Sequence, residues 1–167
     1  MGIFKSFQHG NDGEQFVIST LQTFGLECAK NTNNETKYDY DIEAKIGSKK
    51  FTLEVKFDMM AEKTGNWCIE VRNSKQDKPS GLCATKADIW CVVLKDGDNK
   101  VSYITHVSTL KEWIKNNQPF KTFTHAGDKN SEILLYKHDI ITEIFHRIDN
   151  ISKDNFHKMI KKILNVP

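Results

Sequence analysis

The sequence predicts a mixed α/β domain whose central β-sheet is flanked by helices. Three observations carry this reading. Ile89-Trp-Cys-Val-Val-Leu94 is a continuous apolar run of the kind buried on both faces of a sheet, two alternating segments meet at Gly47-Ser48, and amphipathic helical patterns stand near both ends of the chain. At 167 residues the chain fits a single domain, 1–167, able to bury a core without disulfides or a structural metal.

Asn11-Asp12-Gly13 precedes Glu14, and Phe16, Val17, Leu21 and Phe24 then recur at helical spacing until Gly25, which predicts the first helix. Asn31 to Lys37 is turn-rich, and the alternation from Tyr38 to Ile46 predicts a strand. Glycine at the first position of Gly47-Ser48 suits a type II′ hairpin into a second strand, Phe51 to Phe57. The pattern breaks from Asp58 to Asn66, Trp67 to Arg72 reads as a third strand, and Asn73 to Gly81 as a polar loop. After the central apolar strand, Asp96-Gly97 turns the chain into Val101 to Val107, and Ser108 is placed to cap a helix running through Asn117. Phe120 to Asn130 is loop-like, Glu132 to Tyr136 predicts a late strand, and Ile141 to Ile148 and Lys153 to Leu164 predict two closing helices.

Composition narrows the function classes. Cys28, Cys68, Cys83 and Cys91 contain no C-x-x-C pair and the six histidines no metal-spaced pair, so thiols packed in a core are expected rather than a zinc site. No apolar run approaches a bilayer span and MGIFKSFQHG lacks a signal-peptide core, which predicts a cytosolic protein that does not engage membranes. The formal net charge of +2 is too small to announce a polyanion partner, so any nucleic-acid footprint must be local.

The hairpin carries the candidate chemistry. With Gly47 and Ser48 as its loop, Phe51 faces Ala44, Leu53 faces Ile42 and Glu54 faces Asp41; a four-residue loop would place Asp41 opposite Lys56 instead. Either way Ile42, Ala44, Leu53 and Val55 share one face, and Asp41, Glu43, Glu54 and Lys56 the other. Directly opposed carboxylates lie roughly 4.5–5.5 Å apart at Cβ and repel unless a cation sits between them. Hard oxygen ligands, few in number, suit Mg²⁺ or Mn²⁺, and Lys56 one pleat from Glu54 is placed to orient water or neutralise developing charge. The competing reading is a solvated sheet face with charges alternating in sign.

An acid at one strand, a hairpin, then Glu-x-Lys on the next strand, all after a helix bearing Glu14, resembles the PD-(D/E)xK nuclease superfamily between Glu14 and Leu94. The resemblance implies a restriction-endonuclease-like core in α-β-β-β-α-β order and a Mg²⁺-dependent DNA endonuclease, with Mn²⁺ possible. It implies that Asp41 and Glu54 hold the metal, that Lys56 assists the attacking water, and that Glu14 matches the helix-one acid of members such as Holliday-junction resolvases. Tyr40 stands where the motif has proline, and Asp39 shares the parity of Asp41 and competes with it. Thr64 to Glu70 and Lys78-Pro-Ser-Gly81 with Thr85 to Asp88 look like segments of phage-type members, which places Glu70 among the candidate catalytic residues.

For backbone contact with DNA the loop residues Arg72, Lys75, Lys78, Ser80 and Lys86 are the candidates, with a second lysine stripe on the last helix. Only two arginines, Arg72 and Arg147, are available for bidentate guanine reading, which favours recognition of backbone or shape. A homodimer is expected, because one site cuts one strand. The rival readings are a catalytically silent nucleic-acid-binding domain and an interaction module using a sheet edge.

Overall fold

The computed structural model describes residues 3–36, 38–125 and 130–165, with the side chains of residues 3–9 and 125 outside the description. The chain runs α1 (Ile3–Thr23), β1 (Glu27–Lys30), β2 (Ile42–Ile46), β3 (Lys49–Asp58), α2 (Ala61–Thr64), β4 (Asn66–Asn73), β5 (Lys78–Pro79), a 3-10 turn at Gly81–Cys83, and β6 (Ile89–Asp96). It continues with β7 (Asn99–His106), α3 (Val107–Asn116), β8 (Lys121–His125), β9 (Ser131–Lys137), α4 (His138–Ile141), a 3-10 turn at Thr142–Ile144, β10 (His146–Arg147) and α5 (Lys153–Ile163).

The expected architecture holds: a mixed central sheet, ordered β1-β2-β3-β6-β7-β10, carries helices against it. β6 pairs parallel with β3 and antiparallel with β7, and its first six residues are all buried, as the apolar run required. Its alternate side chains feed two cores. Ile89, Cys91 and Val93 join the core built with Val17, Ile18 and Leu21 of α1 and Phe156 and Ile160 of α5. Trp90, Val92 and Leu94 join the opposite core, with Trp67, Ile69, Leu110 and Trp113.

The second core exists because a second sheet, ordered β5-β4-β9-β8, covers that face. The strand expected at Trp67 to Arg72 therefore belongs to this second layer and not to the central sheet, and the two-residue strand β5 and a 3-10 turn, not a full helix, separate it from β6. Other boundaries also move. The helix expected to start near Asn11 begins at Ile3 and runs through Gly10 and Gly13, where contact with β3 overrides the weak helix propensity of glycine. Its end matches expectation: Gly25 takes φ 79°, with bonds from Gly25 N–H to the Gln22 carbonyl and Leu26 N–H to the Leu21 carbonyl, a Schellman arrangement.

The stretch Phe120 to Asn130, expected as a loop, holds β8, and Glu27–Lys30, for which the sequence predicts no element, forms the edge strand β1; their short lengths and mixed polarity give little alternation to read. The helix expected at Ile141 to Ile148 is one turn of α4, a 3-10 turn and the strand β10, because Phe145 is extended and the chain joins β7. The start of α3 is capped by the His106 ring, which accepts the Ser108 N–H, rather than by Ser108 itself. Among the described residues no helix is long and apolar enough to cross a membrane.

Candidate active site

The hairpin forms in the register that a two-residue loop demands. Ile42 pairs with Leu53 and Ala44 with Phe51, and Gly47 takes φ 59° at the first turn position, where only glycine is unstrained. Just before the Ile42–Leu53 pair, Asp41 donates its N–H to the Leu53 carbonyl and its Oδ2 accepts the Val55 N–H at 2.7 Å, so it meets the two residues that flank Glu54. The four apolar residues of the hairpin are buried against α1 and α5, as parity predicted. The other face is where the structure departs from a solvated surface.

Lys56 Nζ lies 2.6 Å from Glu54 Oε1, with only 12% of the Glu54 side chain and 35% of the Lys56 side chain exposed. The second Glu54 oxygen, Oε2, is 3.2 Å from the Thr85 hydroxyl. Trp90, paired with Glu54 across β3 and β6, places its ring under the ammonium, 5.6 Å from Nζ to the centroid. Burial pushes the Glu54 carboxyl above its usual range and the charge of Asp41 adds to this, against the opposing pull of Lys56 and Thr85. Burial pulls the Lys56 ammonium down, but Glu54, Asp41 and Glu70 outweigh it and leave it above the ordinary lysine value. The cluster is an ammonium held among carboxylates in a poorly hydrated setting.

Asp41 and Lys56 line a cleft of about 740 Å³ together with Glu14, Asp58, Cys68, Glu70, Met59 and Met60, and Glu54, which does not line it, adjoins it through its ion pair with Lys56. Glu14 arrives on α1 because Gly13 lets that helix press onto β3: a Cβ on Gly13 would stand 3.0 Å from the Phe57 Cβ. Glu14 Oε2 is 2.5 Å from Lys30 Nζ. Glu70 arrives from the second sheet, where its Oε1 accepts both the Ser80 hydroxyl at 2.8 Å and the Ser131 hydroxyl at 2.9 Å. Asp58 is committed to structure, accepting the N–H groups of Met60, Ala61 and Cys68. Burial, with the Asp58 charge beside it, pushes the Cys68 thiol up to about 12, so it is not a thiolate nucleophile.

The structure thus brings Asp41, Glu54, Lys56, Glu14 and Glu70 to one region, while Asp39 is turned to a different partner. Asp39 Oδ2 pairs with Lys86 Nζ at 3.1 Å, and its carbonyl accepts the Lys86 N–H. Of the expected DNA contacts, Lys75 and Lys78 are exposed, Arg72 pairs with Asp77, and Lys86 is taken by Asp39. Ser80, expected among the DNA contacts, instead holds Glu70. Reasoning from sequence missed the hydroxyls of Thr85 and Ser131, since their partners lie 31 and 61 residues away and no local pattern marks them.

Among the described residues no three His, Cys, Asp or Glu side chains form a group able to hold an ion. Asp41 and Glu54, close enough for the charge of one to act on the other, are two oxygen donors, fewer than a closed protein cage for a cation would supply.

No protein-family model matches the chain, and no curated protein sequence matches it either. Among solved structures, its fold is similar to that of a bacterial homing endonuclease, I-Ssp6803I, with a TM-score of 0.53 and 16% sequence identity over 93% of each chain. At that identity the likeness is one of fold: a mixed α/β architecture shared along nearly the full length of both proteins.

Proposed function

We propose that this protein is a divalent-metal-dependent DNA endonuclease of the PD-(D/E)xK type. The observation that carries the reading is that Asp41 Oδ2 accepts the N–H of Val55, the residue between Glu54 and Lys56, while Lys56 lies 2.6 Å from Glu54 and lines, with Asp41, a cleft of about 740 Å³. The fold it shares with a homing endonuclease supports the same class.

Asp41 and Glu54 are the side chains that would hold Mg²⁺ or Mn²⁺, which when bound supplies Lewis acidity toward a phosphodiester and makes water more acidic. The chain's own contribution is positional and electrostatic. Lys56, an ammonium flanked by carboxylates, donates hydrogen bonds, so it orients the attacking water and offsets charge building on the phosphate. Glu14 and Glu70 border the same cleft and supply further acceptors for water. Lys75 and Lys78, exposed and in no ion pair among the described residues, are the cations of this loop best placed to meet the DNA backbone. Cutting both strands of a duplex or junction symmetrically calls for a two-fold homodimer.

The test is incubation of supercoiled plasmid, linear duplex and four-way junction with wild type, Asp41→Asn and Lys56→Ala, in Mg²⁺, Mn²⁺ or EDTA. Wild type cuts with metal and not in EDTA, and each variant loses on the order of 10²-fold or more in rate. Equal cutting by all three proteins removes the assignment. A second reading, a silent nucleic-acid-binding domain, draws on Lys56 already occupying one oxygen of Glu54; it predicts DNA binding that ignores metal and cuts nothing.

A further inference from the structure

We propose that Thr85 is a positioning residue for Glu54, fixing the carboxylate oxygen that Lys56 leaves open; the proposal rests on the nuclease reading above. Glu54 Oε1 is taken by Lys56 at 2.6 Å, and Oε2 meets the Thr85 hydroxyl at 3.2 Å. With both oxygens engaged, the plane of the carboxylate is defined by groups on two different elements, β3 and the turn before β6.

Thr85 is built to hold still. It is 6% exposed, and β-branching restricts its side-chain rotation. Its hydroxyl accepts the Ala87 N–H at 3.2 Å and also lies 3.0 Å from the Asp39 carbonyl. The next residue locks the segment to the chain entering β2, since Lys86 N–H donates to the Asp39 carbonyl at 2.9 Å and Lys86 Nζ pairs with Asp39 Oδ2.

The hydroxyl has one proton and two acceptors in reach, Glu54 Oε2 and the Asp39 carbonyl. A carboxylate oxygen carries two lone pairs, so Oε2 keeps the Thr85 hydrogen bond while its other lone pair stays open to a cation. Thr85 therefore fixes the direction of the Glu54 carboxylate before a cation arrives and stays bonded to it when the carboxylate is recruited. Valine has the same shape but no hydroxyl, whereas serine keeps the hydroxyl, so the two separate the hydrogen bond from packing.

The experiment measures Mn²⁺ binding by calorimetry, and single-turnover cleavage alongside it, for wild type, Thr85→Val, Thr85→Ser and Thr52→Val. Thr52 is the control because its hydroxyl bonds Asp88, outside the cleft, on the same strand as Glu54. Thr85→Val is expected to weaken Mn²⁺ binding about 10-fold and to slow cleavage roughly 10- to 100-fold at unchanged DNA affinity, with Thr85→Ser close to wild type. Thr85→Ala stands in if the valine variant does not fold. Wild-type behaviour of Thr85→Val, a serine variant as weak as valine, or an equal loss in Thr52→Val overturns the proposal while leaving the nuclease reading intact. A wild type that neither binds Mn²⁺ nor cuts overturns both.

Discussion

The two ends of one hairpin hold the same kinds of residue on the same face and behave differently. Near the turn, Glu43 and Lys50 pair at 2.9 Å with 46% and 67% of their side chains exposed. Toward the other end, Glu54 and Lys56 pair at 2.6 Å with 12% and 35% exposed. Sheet face and chemistry match, although the first pair bridges β2 and β3 and the second lies along β3; what differs is the layer above. The second sheet and the turn carrying Thr85 cover the Glu54 end, remove water and supply hydroxyl partners, while the turn end stays open. An exposed pair in water contributes little, whereas partial burial strengthens each electrostatic term and shifts the groups involved. Coverage rather than residue type therefore separates the two ends of this hairpin.

The sharpest way to break the comparison is to substitute matching residues at the two ends. Asp41→Asn is expected to lose cleavage by about 10²-fold or more while its melting temperature holds or rises slightly, because the repulsion felt by Glu54 is relieved. Plasmid nicking and thermal denaturation read the two effects together. A variant that cuts like wild type would erase the distinction between the ends.

A second prediction removes the coverage itself. Gly81 takes φ 49°, and a Cβ there would stand 2.3 Å from the Glu70 carbonyl oxygen, so backbone must move to admit it. Gly81→Ala is expected to cost about 2–3 kcal/mol, a fall of roughly 5–10 °C in the melting temperature. The same change displaces Ser80 from Glu70 and lowers the cleavage rate at temperatures where the protein remains folded.

An intermediate case lies at the far edge of the central sheet. Asp149 is 14% exposed, accepts the single Arg147 Nε–H shared between its two oxygens and a hydrogen bond from Nη2, and accepts the Ser102 N–H. Burial alone would raise its carboxyl, but Arg147 and the backbone donors outweigh it and hold it below the usual range. A depressed carboxyl adds stability above the unfolded-state pKa, and that stability is lost as pH falls through the folded value. Asp149→Asn is expected to cost about 1–2 kcal/mol near neutrality and progressively less below pH ~4, as followed by urea denaturation across pH. A penalty independent of pH would mean that the charge is not what matters there.

The smallest effect is expected at the open end. Glu43→Gln should leave both melting temperature and cleavage at wild-type values, and Lys50→Ala likewise. A measurable loss of cutting from either would show that the turn end takes part in substrate contact.

Much of this site is legible in the chain because hairpin geometry is local. A glycine at the first turn position sets the register, the register brings Asp41 to the residues flanking Glu54, and the period of two sets which side chains meet α1 and α5. The central strand is equally legible, since six consecutive apolar side chains have to be covered on both faces. Its two faces lead to two cores, and only one of the covering layers leaves a clear trace. The second sheet joins β4 to β9 over some sixty residues of sequence, and its edge strands β5 and β8 are too short or too mixed to announce themselves. Ser80 illustrates the limit: in a lysine-bearing polar loop it reads as a contact for DNA, yet folding turns its hydroxyl onto Glu70.

What the sequence determined by itself is the set of short-range constraints: turn type, strand parity, helix termination at Gly25, and the carboxylates and lysine that share one face. What only the tertiary structure decided is how far water is kept from that face and which hydroxyls complete it, because Thr85 and Ser131 reach Glu54 and Glu70 from 31 and 61 residues away. Local patterns are fixed by backbone geometry within a few residues, whereas burial and its electrostatic consequences depend on which distant layer packs on top.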